Sequence, residues 1–481
     1  MPDTSNSKHP LREKIGAIVG PEHVTTEEFS RRCYTRGPFY AMGGGPRGRT
    51  PGLVVRPRNS EEVAGIVRLA NEYKIPIVPK GGGGSIATFP PLHVGTDLNI
   101  LIDTQRMNRI IDLDRHNMTV TAECGVILSH LADVARQNGF QIHTVDVPIH
   151  MDTVGGVLSG FIGGGEPSDV AVCGTMNRHL VGLKVVLPNG EIVETGGGPG
   201  TNIHQAKFLH REAGGPDTSG IFLGDGGAFG IKTEATFNLY PYPEIFLPGI
   251  AEMASEEGMW RAFAELVATE PYPYTRLLAF READGPWLFF HVIRAHTRAE
   301  ADLRKATLEK IVKTHGGRPT RPSDAIMQIA NMFSARRLGQ QTLPVASAMT
   351  YFGEAILPRA KALDYLADLN RLLDETVGDL DIYKRVSFTI PYLRATTITG
   401  ILLYFGKSTT RDQASRRIYE QAVHKFERLF AEKYGGWSET CQGECLAQIA
   451  ANWSPTYKAF MRSLKKALDP NNIMMPGLWR I

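Results

Sequence analysis

A chain of 481 residues is too long for one ordinary hydrophobic core, so at least two domains are expected. Hydrophobic residues make up 42% and charged residues 21%, the balance of a soluble globular protein. The formal net charge is +3 and no basic residues run together in a block, which argues against a nucleic-acid partner or an anionic-membrane partner. Residues 1–14 lack the apolar core of a secretory signal, and no stretch approaches the ~20 apolar residues of a membrane span. A cytoplasmic protein is the expectation. Five cysteines (Cys33, Cys124, Cys173, Cys441 and Cys445) fit neither zinc nor thioredoxin spacing and read as reduced thiols.

The first legible unit runs from Leu53 to Val78. Leu53, Val54 and Val55 form a β-prone run. Ser60 is the expected N-cap of a helix with Glu61 and Glu62 in its first turn, where the helix dipole favours acids. Val63, Ile66, Val67 and Ala70 recur at helical spacing as its apolar face, and residues 75–78 form a second strand. Strand, helix and strand predict a parallel pair. A glycine run, Pro79 to Ser85, follows directly. Pro90 and Pro91 exclude the helix that dinucleotide-binding and P-loop designs require after such a run. Two readings stay open for it: a nest of backbone N–H groups that cradles a phosphate, or a plain linker.

Strands are predicted at 97–103 and 119–123, joined through Ile110, Ile111 and Leu113. A helix follows, with Ile127, Leu128, Leu131 and Val134 on one face and Asn138-Gly139 as its stop. A second glycine-dense region spans 153–165. Pro188-Asn189-Gly190 between residues 183–187 and 191–195 signals a hairpin. A third glycine region, 224–231, leads into a strand over 233–239. Composition changes at Tyr240-Pro241-Tyr242-Pro243, a domain edge. Beyond it, helices are predicted over 300–314, 359–376 and 413–434 and strands over 289–293 and 398–405, an α+β pattern. A last amphipathic helix over 456–468, stopped by Asp469-Pro470, is expected to present a solvated basic face.

Three glycine regions in this order, closed by Asp469-Pro470-Asn471-Asn472-Ile473 and Pro476-Gly477, resemble the FAD-binding domain of the vanillyl-alcohol oxidase and p-cresol methylhydroxylase superfamily. The resemblance covers residues 50–243 and returns at 460–478. It implies an α+β protein in three parts. Residues 1–243 would form the main part of a PCMH-type, two-subdomain FAD-binding domain. Residues 244–438 would form a substrate (cap) domain with an antiparallel sheet flanked by helices, and 439–481 would return to the FAD domain. Pro79, Lys80, Gly81, Gly82, Gly83, Gly84 and Ser85 stand where the family wraps the FAD pyrophosphate. Thr153, Gly155 and Gly156 match its flavin-proximal T-x-G-G segment, with Ser159 and Gly160 following. Gly174 and Thr175 stand at its Y-G segment, Gly230 and Ile231 at the adenine end, and Asn472 in the closing tail.

The departures from the family pattern also carry information. Where some members place a flavin-linking histidine in the phosphate loop, this chain has Gly84, Ser85 and Ile86, so non-covalent FAD is expected. The H-x-G-D-G-N-x-H and E-H-G-I-G motifs of the D-lactate and 2-hydroxyglutarate dehydrogenase branch are missing at 399–405 and 439–443, so no metal is expected. Thr440-Cys441-Gln442 replaces the Y-R-T-like segment of the 4-hydroxybenzyl-oxidising branch. The resemblance implies hydride transfer to flavin N5 from an alcohol or hydroxy acid group of a small organic substrate, an aromatic one among the options. A protein group would take the proton. His150, Tyr392 and Tyr404 are the candidates for that group. Arg385 and Arg394 are candidates to hold a carboxylate or phenolate in a fork. The chemistry leaves oxidase and dehydrogenase open, as it does a homo-oligomer. A second reading is a flavin subunit that works only with a redox partner protein, and a third is a scaffold that has lost FAD.

Overall fold

The structure is a computed structural model that describes residues 10–35, 50–83, 98–143, 151–160, 175–196, 211, 216–282, 285–320, 349–377, 380–392, 395–405, 421, 423–436, 450 and 453–480. In the N-terminal part, α1 (Pro10–Val19), β1 (Val24–Thr25) and α2 (Glu28–Arg32) precede β2 (Leu53–Val55), α3 (Ser60–Tyr73), β3 (Ile77–Lys80) and β4 (Ile100–Asp103). The sheet order is β1-β2-β4-β3, with β2 and β3 each parallel to β4 as the strand–helix–strand pattern requires. Val63, Ile66, Val67 and Ala70 of α3 are buried against this sheet with Leu11 and Ile15 of α1. The N-cap is Asn59 and not Ser60. Asn59 is extended (φ −158°) and its side chain accepts the Glu62 N–H at 2.8 Å. An extended Asn reaches the third amide of the helix, so Ser60 becomes the first helical residue. Its hydroxyl turns to Thr233 Oγ1 at 2.9 Å.

A second, antiparallel sheet is ordered β5-β6-β10-β8-β9 from β5 (Ile110–Asp114), β6 (Thr119–Glu123), β8 (Leu180–Val186), β9 (Ile192–Gly196) and β10 (Ile231–Asn238). The Pro188-Asn189-Gly190 turn joins β8 to β9, with Gly190 at φ +83°. Between these strands lie α4 (Leu128–Gln137), β7 (Phe140–Gln141) and the short α5 (Val154–Ser159). β7 pairs with β11 (Tyr240–Pro241), the last element before the second half of the chain.

That half is built on one antiparallel sheet. Its strands are β12 (Ile245–Met253), β13 (Tyr274–Glu282), β14 (Trp287–Ala295), β15 (Gly317–Thr320), β16 (Met349–Pro358), β17 (Ile382–Tyr392) and β18 (Thr396–Phe405). They are ordered β15-β12-β14-β13-β17-β18-β16. Three long helices pack on one face: α6 (Glu256–Ala268), α7 (Arg298–Thr314) and α8 (Ala362–Val377). Leu277, Ala279, Phe289, Ile293, Ile401 and Leu403 meet Phe263, Leu266, Leu308 and Tyr365 there in a single core. The opposite face carries Ile250, Leu278, Phe290, Val292, Phe388, Ile390 and Ile398. α9 (Val423–Arg428) runs into a π turn over Leu429–Lys433, within the helix expected over 413–434, whose first part (413–420) lies outside the described residues.

The tail returns to the first sheet through α10 (Pro455–Leu468). Met474 bridges Ile77 in parallel. The Ile77 N–H donates to Ile473 O at 2.7 Å, and the Met475 N–H donates to Ile77 O at 3.0 Å. The tail thus extends the sheet at its β3 edge. One basic residue of α10 does not belong to the expected solvated face. Lys465 is buried and donates to Ala228 O at 2.9 Å, Asp469 Oδ2 at 2.6 Å and Met474 O at 2.5 Å. Asp469 in turn accepts the amides of Ile473 and Met474. The ammonium is the staple that fixes the tail. Among the described residues, no helix is long and apolar enough to cross a membrane.

Candidate functional site

The glycine regions, far apart in sequence, converge. A Cβ on Gly81 would lie 2.2 Å from Thr153 Oγ1, and one on Gly82 would lie 1.5 Å from the Met151 carbonyl oxygen. The bare backbone of the loop after β3 therefore rides directly on segment 151–153. Thr153 also caps α5, its Oγ1 accepting the Gly156 N–H at 3.3 Å. Gly155 lies against Cys124, whose carbonyl accepts its N–H at 2.7 Å. The third region closes the ring. Gly224 and Gly226 donate to Leu158 O and Ser159 O, both at 2.9 Å, and a Cβ on Gly227 would strike Pro79 Cγ at 2.5 Å. Glycine is required at 82 because backbone touches backbone there, and at 81 and 227 because a Cβ would strike the Thr153 hydroxyl and the Pro79 ring.

Charge is placed under this cradle with its counter-charges held elsewhere. Lys80 donates to Gly81 O at 3.0 Å and lies over the Tyr34 ring at 5.4 Å. Burial lowers its pKa, opposed by Asp103. Tyr34 donates to Asp103 Oδ2 at 2.9 Å and is pushed up to about 12, by burial first and then by Asp103. Asp225 accepts the Gly227 and Phe229 amides and is ion-paired to buried Lys232 at 2.7 Å, which fixes the third glycine loop. A loop of unsubstituted backbone beside the half-buried Lys80 ammonium has the shape and sign to admit a phosphate.

The remaining sequence-predicted residues separate. Thr153, Gly155, Gly156, Ser159, Gly160, Pro79, Lys80, Gly81, Gly82 and Gly83 are all at the cradle. Thr175 opens the 3₁₀ turn at Met176–His179. Gly230 packs against Val185 and Val186, and Ile231 is buried in the first core beside Val186, so both have packing roles. Asn472 is exposed, at φ +50° in the tail's turn, and the tail itself is docked by Lys465 and Asp469. His150, Arg394, Gly84, Ser85 and Gly174 lie outside the described residues. Tyr392 is buried on the sheet face away from the helices, beside Phe388, Ile390 and Ile398. The backbone of Tyr404 sits in register with Lys384 and Met349. Arg385 is on the helix face, opposite Leu403, and pairs with Asp374 of α8 at 2.6 Å. It does not join Tyr392.

Three further features were not singled out from the sequence. Arg276 is 5% exposed and sits opposite Val292, on the face of Tyr392. Asp152 is buried beside Thr153, and burial alone pushes its carboxyl up to about 7. His143, His179 and Tyr240 form a buried ring cluster, with His179 Nδ1 2.8 Å from Tyr240 Oη. A titratable residue flanking Thr153 was a signal the sequence offered for Asp152. A strand arginine offers none until its face is known.

The fold and cradle define a two-part flavin-binding domain joined to a cap sheet. Residues 51–196 match the FAD binding domain family, and residues 261–478 match the C-terminal domain of FAD linked oxidases. The D-lactate dehydrogenase of Archaeoglobus fulgidus is 30% identical, with 90% of this chain and 92% of that protein covered. Glycolate oxidase subunit GlcD of Bacillus subtilis is 23% identical, with 97% and 96% covered. The 4-ethylphenol oxidase of Gulosibacter chungangensis, a solved structure at 20% identity, shares the fold with a TM-score of 0.78 over 98% of this chain and 96% of that one. The chain belongs to the FAD-linked oxidases and is an FAD-dependent oxidoreductase, with the fold of the PCMH-type flavoproteins.

Proposed function

We propose that this protein oxidises the hydroxyl-bearing carbon of a small hydroxy acid, with the FAD pyrophosphate seated on Gly81–Gly83 and the substrate carboxylate held by Arg276. The observation that carries the carboxylate assignment is the place of Arg276. Arg276 falls opposite Val292 on the sheet face that carries Leu278 and Phe290 and has no described helix over it, where the planar fork of a guanidinium suits a substrate carboxylate. FAD supplies the hydride acceptor. The chain's own share is to orient the carboxylate in a fork, keep the site dry with the apolar sheet face, and accept the hydroxyl proton. Tyr392, on that face, and His150, next to Met151, are the candidates for the proton. The relatives support the acid reading, since they are named for lactate and glycolate.

The test is anaerobic bleaching of the flavin near ~450 nm. D-lactate, glycolate and D-2-hydroxyglutarate are compared with neutral primary alcohols and 4-alkylphenols. Reduction by the acids supports the reading, whereas reduction by phenols or neutral alcohols alone refutes the carboxylate assignment. A second reading, a flavin subunit dependent on a redox partner, is favoured by the name of the Bacillus relative as a subunit. Retention of a cytochrome or iron–sulfur protein through purification would support it.

A further inference from the structure

Segment 151–153, which seats the glycine loop, carries a carboxyl that has no part in the scheme above. Asp152 is 9% exposed, and no described side chain or backbone group bonds to its carboxyl. Its main chain is fixed. The Leu128 N–H donates to Asp152 O at 2.9 Å, and Thr153 bridges Ile127. The loop lies against it, since a Cβ on Gly82 would be 3.5 Å from the Asp152 amide nitrogen.

Among the described residues, the charged groups of the loop after β3, of the third glycine region and of the tail are engaged with other partners. Lys80 holds Gly81 O, Asp103 receives Tyr34, and Asp225 and Lys232 hold each other. Lys465 holds Asp469, and the Cys124 thiol beside Gly155 is raised by burial. None of them moderates the cost of ionising Asp152, which burial alone sets at about 7. An ionised carboxylate on the very segment the loop rides on would repel a pyrophosphate held by that loop.

From this arrangement we infer that Asp152 is a proton-binding element of the cofactor cradle: it is neutral when the loop holds FAD, and cofactor binding near neutral pH draws a proton from solvent onto its carboxyl. The inference rests on Gly81–Gly83 as the pyrophosphate seat. The sign of the linkage follows. Cofactor-free protein loses the proton as pH rises through about 7, and the bound form keeps it to higher pH. The bound form therefore carries more protons in that window, and rising pH weakens binding by up to roughly tenfold per pH unit.

The test titrates full-length, FAD-stripped protein with FAD, following flavin fluorescence between pH 6 and 9. Calorimetry in buffers of different ionisation heat counts the protons taken up. Wild-type affinity is expected to fall towards tenfold per unit above neutrality, and Asp152→Asn to bind with a flat profile. Asp152→Ala serves the same purpose should the Asn variant not fold. A flat wild-type profile, or a slope that survives in the variant, overturns the inference. In either case FAD still binds, which leaves the seat itself standing. Absence of FAD binding at every pH would remove the seat and the inference with it.

Discussion

Gly82→Ala is the substitution that most directly probes the cradle. The added methyl carbon would lie 1.5 Å from the Met151 carbonyl oxygen and 2.7 Å from its carbon. Both are backbone atoms of the segment that pairs with Ile127, so no side chain can rotate away and the loop itself must lift. Overpacking of this kind costs about 1–3 kcal/mol. If the loop relaxes in the cofactor-free protein and must be pressed back to receive FAD, that cost falls on binding. The dissociation constant should then rise by roughly 5- to 150-fold. The assay is FAD titration of stripped protein, with thermal melts of both forms. The melting temperature of the FAD-bound variant should drop well beyond that of the stripped variant. Gly139→Ala is the control, because Gly139 has φ +83° with nothing within 4 Å. It tests backbone strain without a clash, and FAD affinity should hold. Wild-type affinity in Gly82→Ala would refute the seat. An equal loss of stability in the stripped and bound proteins would show that the contact serves folding only.

Three other outcomes follow from buried charge. Lys465→Met leaves Asp469 buried without its cation and frees the tail, so the variant should lose about 3–5 kcal/mol in urea unfolding, against little for exposed Arg462→Ala. His291, fully enclosed in the cap core, is pushed down to about 4 by burial. The unfolded chain therefore binds more protons between about 4 and 6.5, stability falls as pH falls through that window, and His291→Gln should flatten the loss. Asp152 acts in the opposite sense. Its folded pKa is raised from 3.8 to about 7, so the stability it contributes is complete below about 4 and fades as pH rises to about 7. Stripped Asp152→Asn protein should therefore gain stability over wild type at pH 8 relative to pH 4. An equal difference at both pH values would contradict the burial of this group.

The first half of the chain was legible because its signals are local. Asn138-Gly139 and Pro188-Asn189-Gly190 name their own turns, and the periodic valines and isoleucines of α3 name its buried face. The glycine runs were legible as close backbone approaches, though not what they approach. That Gly82 meets Met151 and Gly227 meets Pro79 is a tertiary fact. The cap was less legible. α6 has Met259, Ala262, Phe263 and Leu266 at helical spacing behind Ser255 as cap, a pattern that was readable and was passed over. β17 is buried on both faces from Val386 to Tyr392, and β12 is interrupted by Pro248 and Gly249, so neither shows a clean alternation to read. Lys465 misled for a related reason. It belongs to a run of basic residues on α10, and only the packing of the helix on Ala228 turns it inward.

The two cap arginines show how register decides chemistry. Both Arg276 and Arg385 lie on strands of one sheet, and the sequence reading chose Arg385 and passed over Arg276. A bulge between Tyr274 and Arg276 advances one strand against the other, so that Arg276 falls opposite Val292 while Tyr274 falls opposite Ile293. That step moves the guanidinium from the helix face to the open one. Arg385 follows a register shift between Ile382 and Lys384 but falls opposite Leu403, on the helix side, where it meets Asp374. Removing a forked, desolvated contact to a carboxylate costs about 2–4 kcal/mol of transition-state binding, or roughly 30- to 900-fold in kcat/KM. Arg276→Gln should show that loss towards hydroxy acids, with FAD content and cap folding retained. Arg276→Lys should recover only part of it, since an ammonium cannot form the fork. Arg385→Ala removes a partly exposed pair worth at most about 1 kcal/mol and should leave kcat/KM unchanged. A loss in Arg385→Ala that equals the loss in Arg276→Gln would mean that both act through cap stability, and the carboxylate would need another anchor.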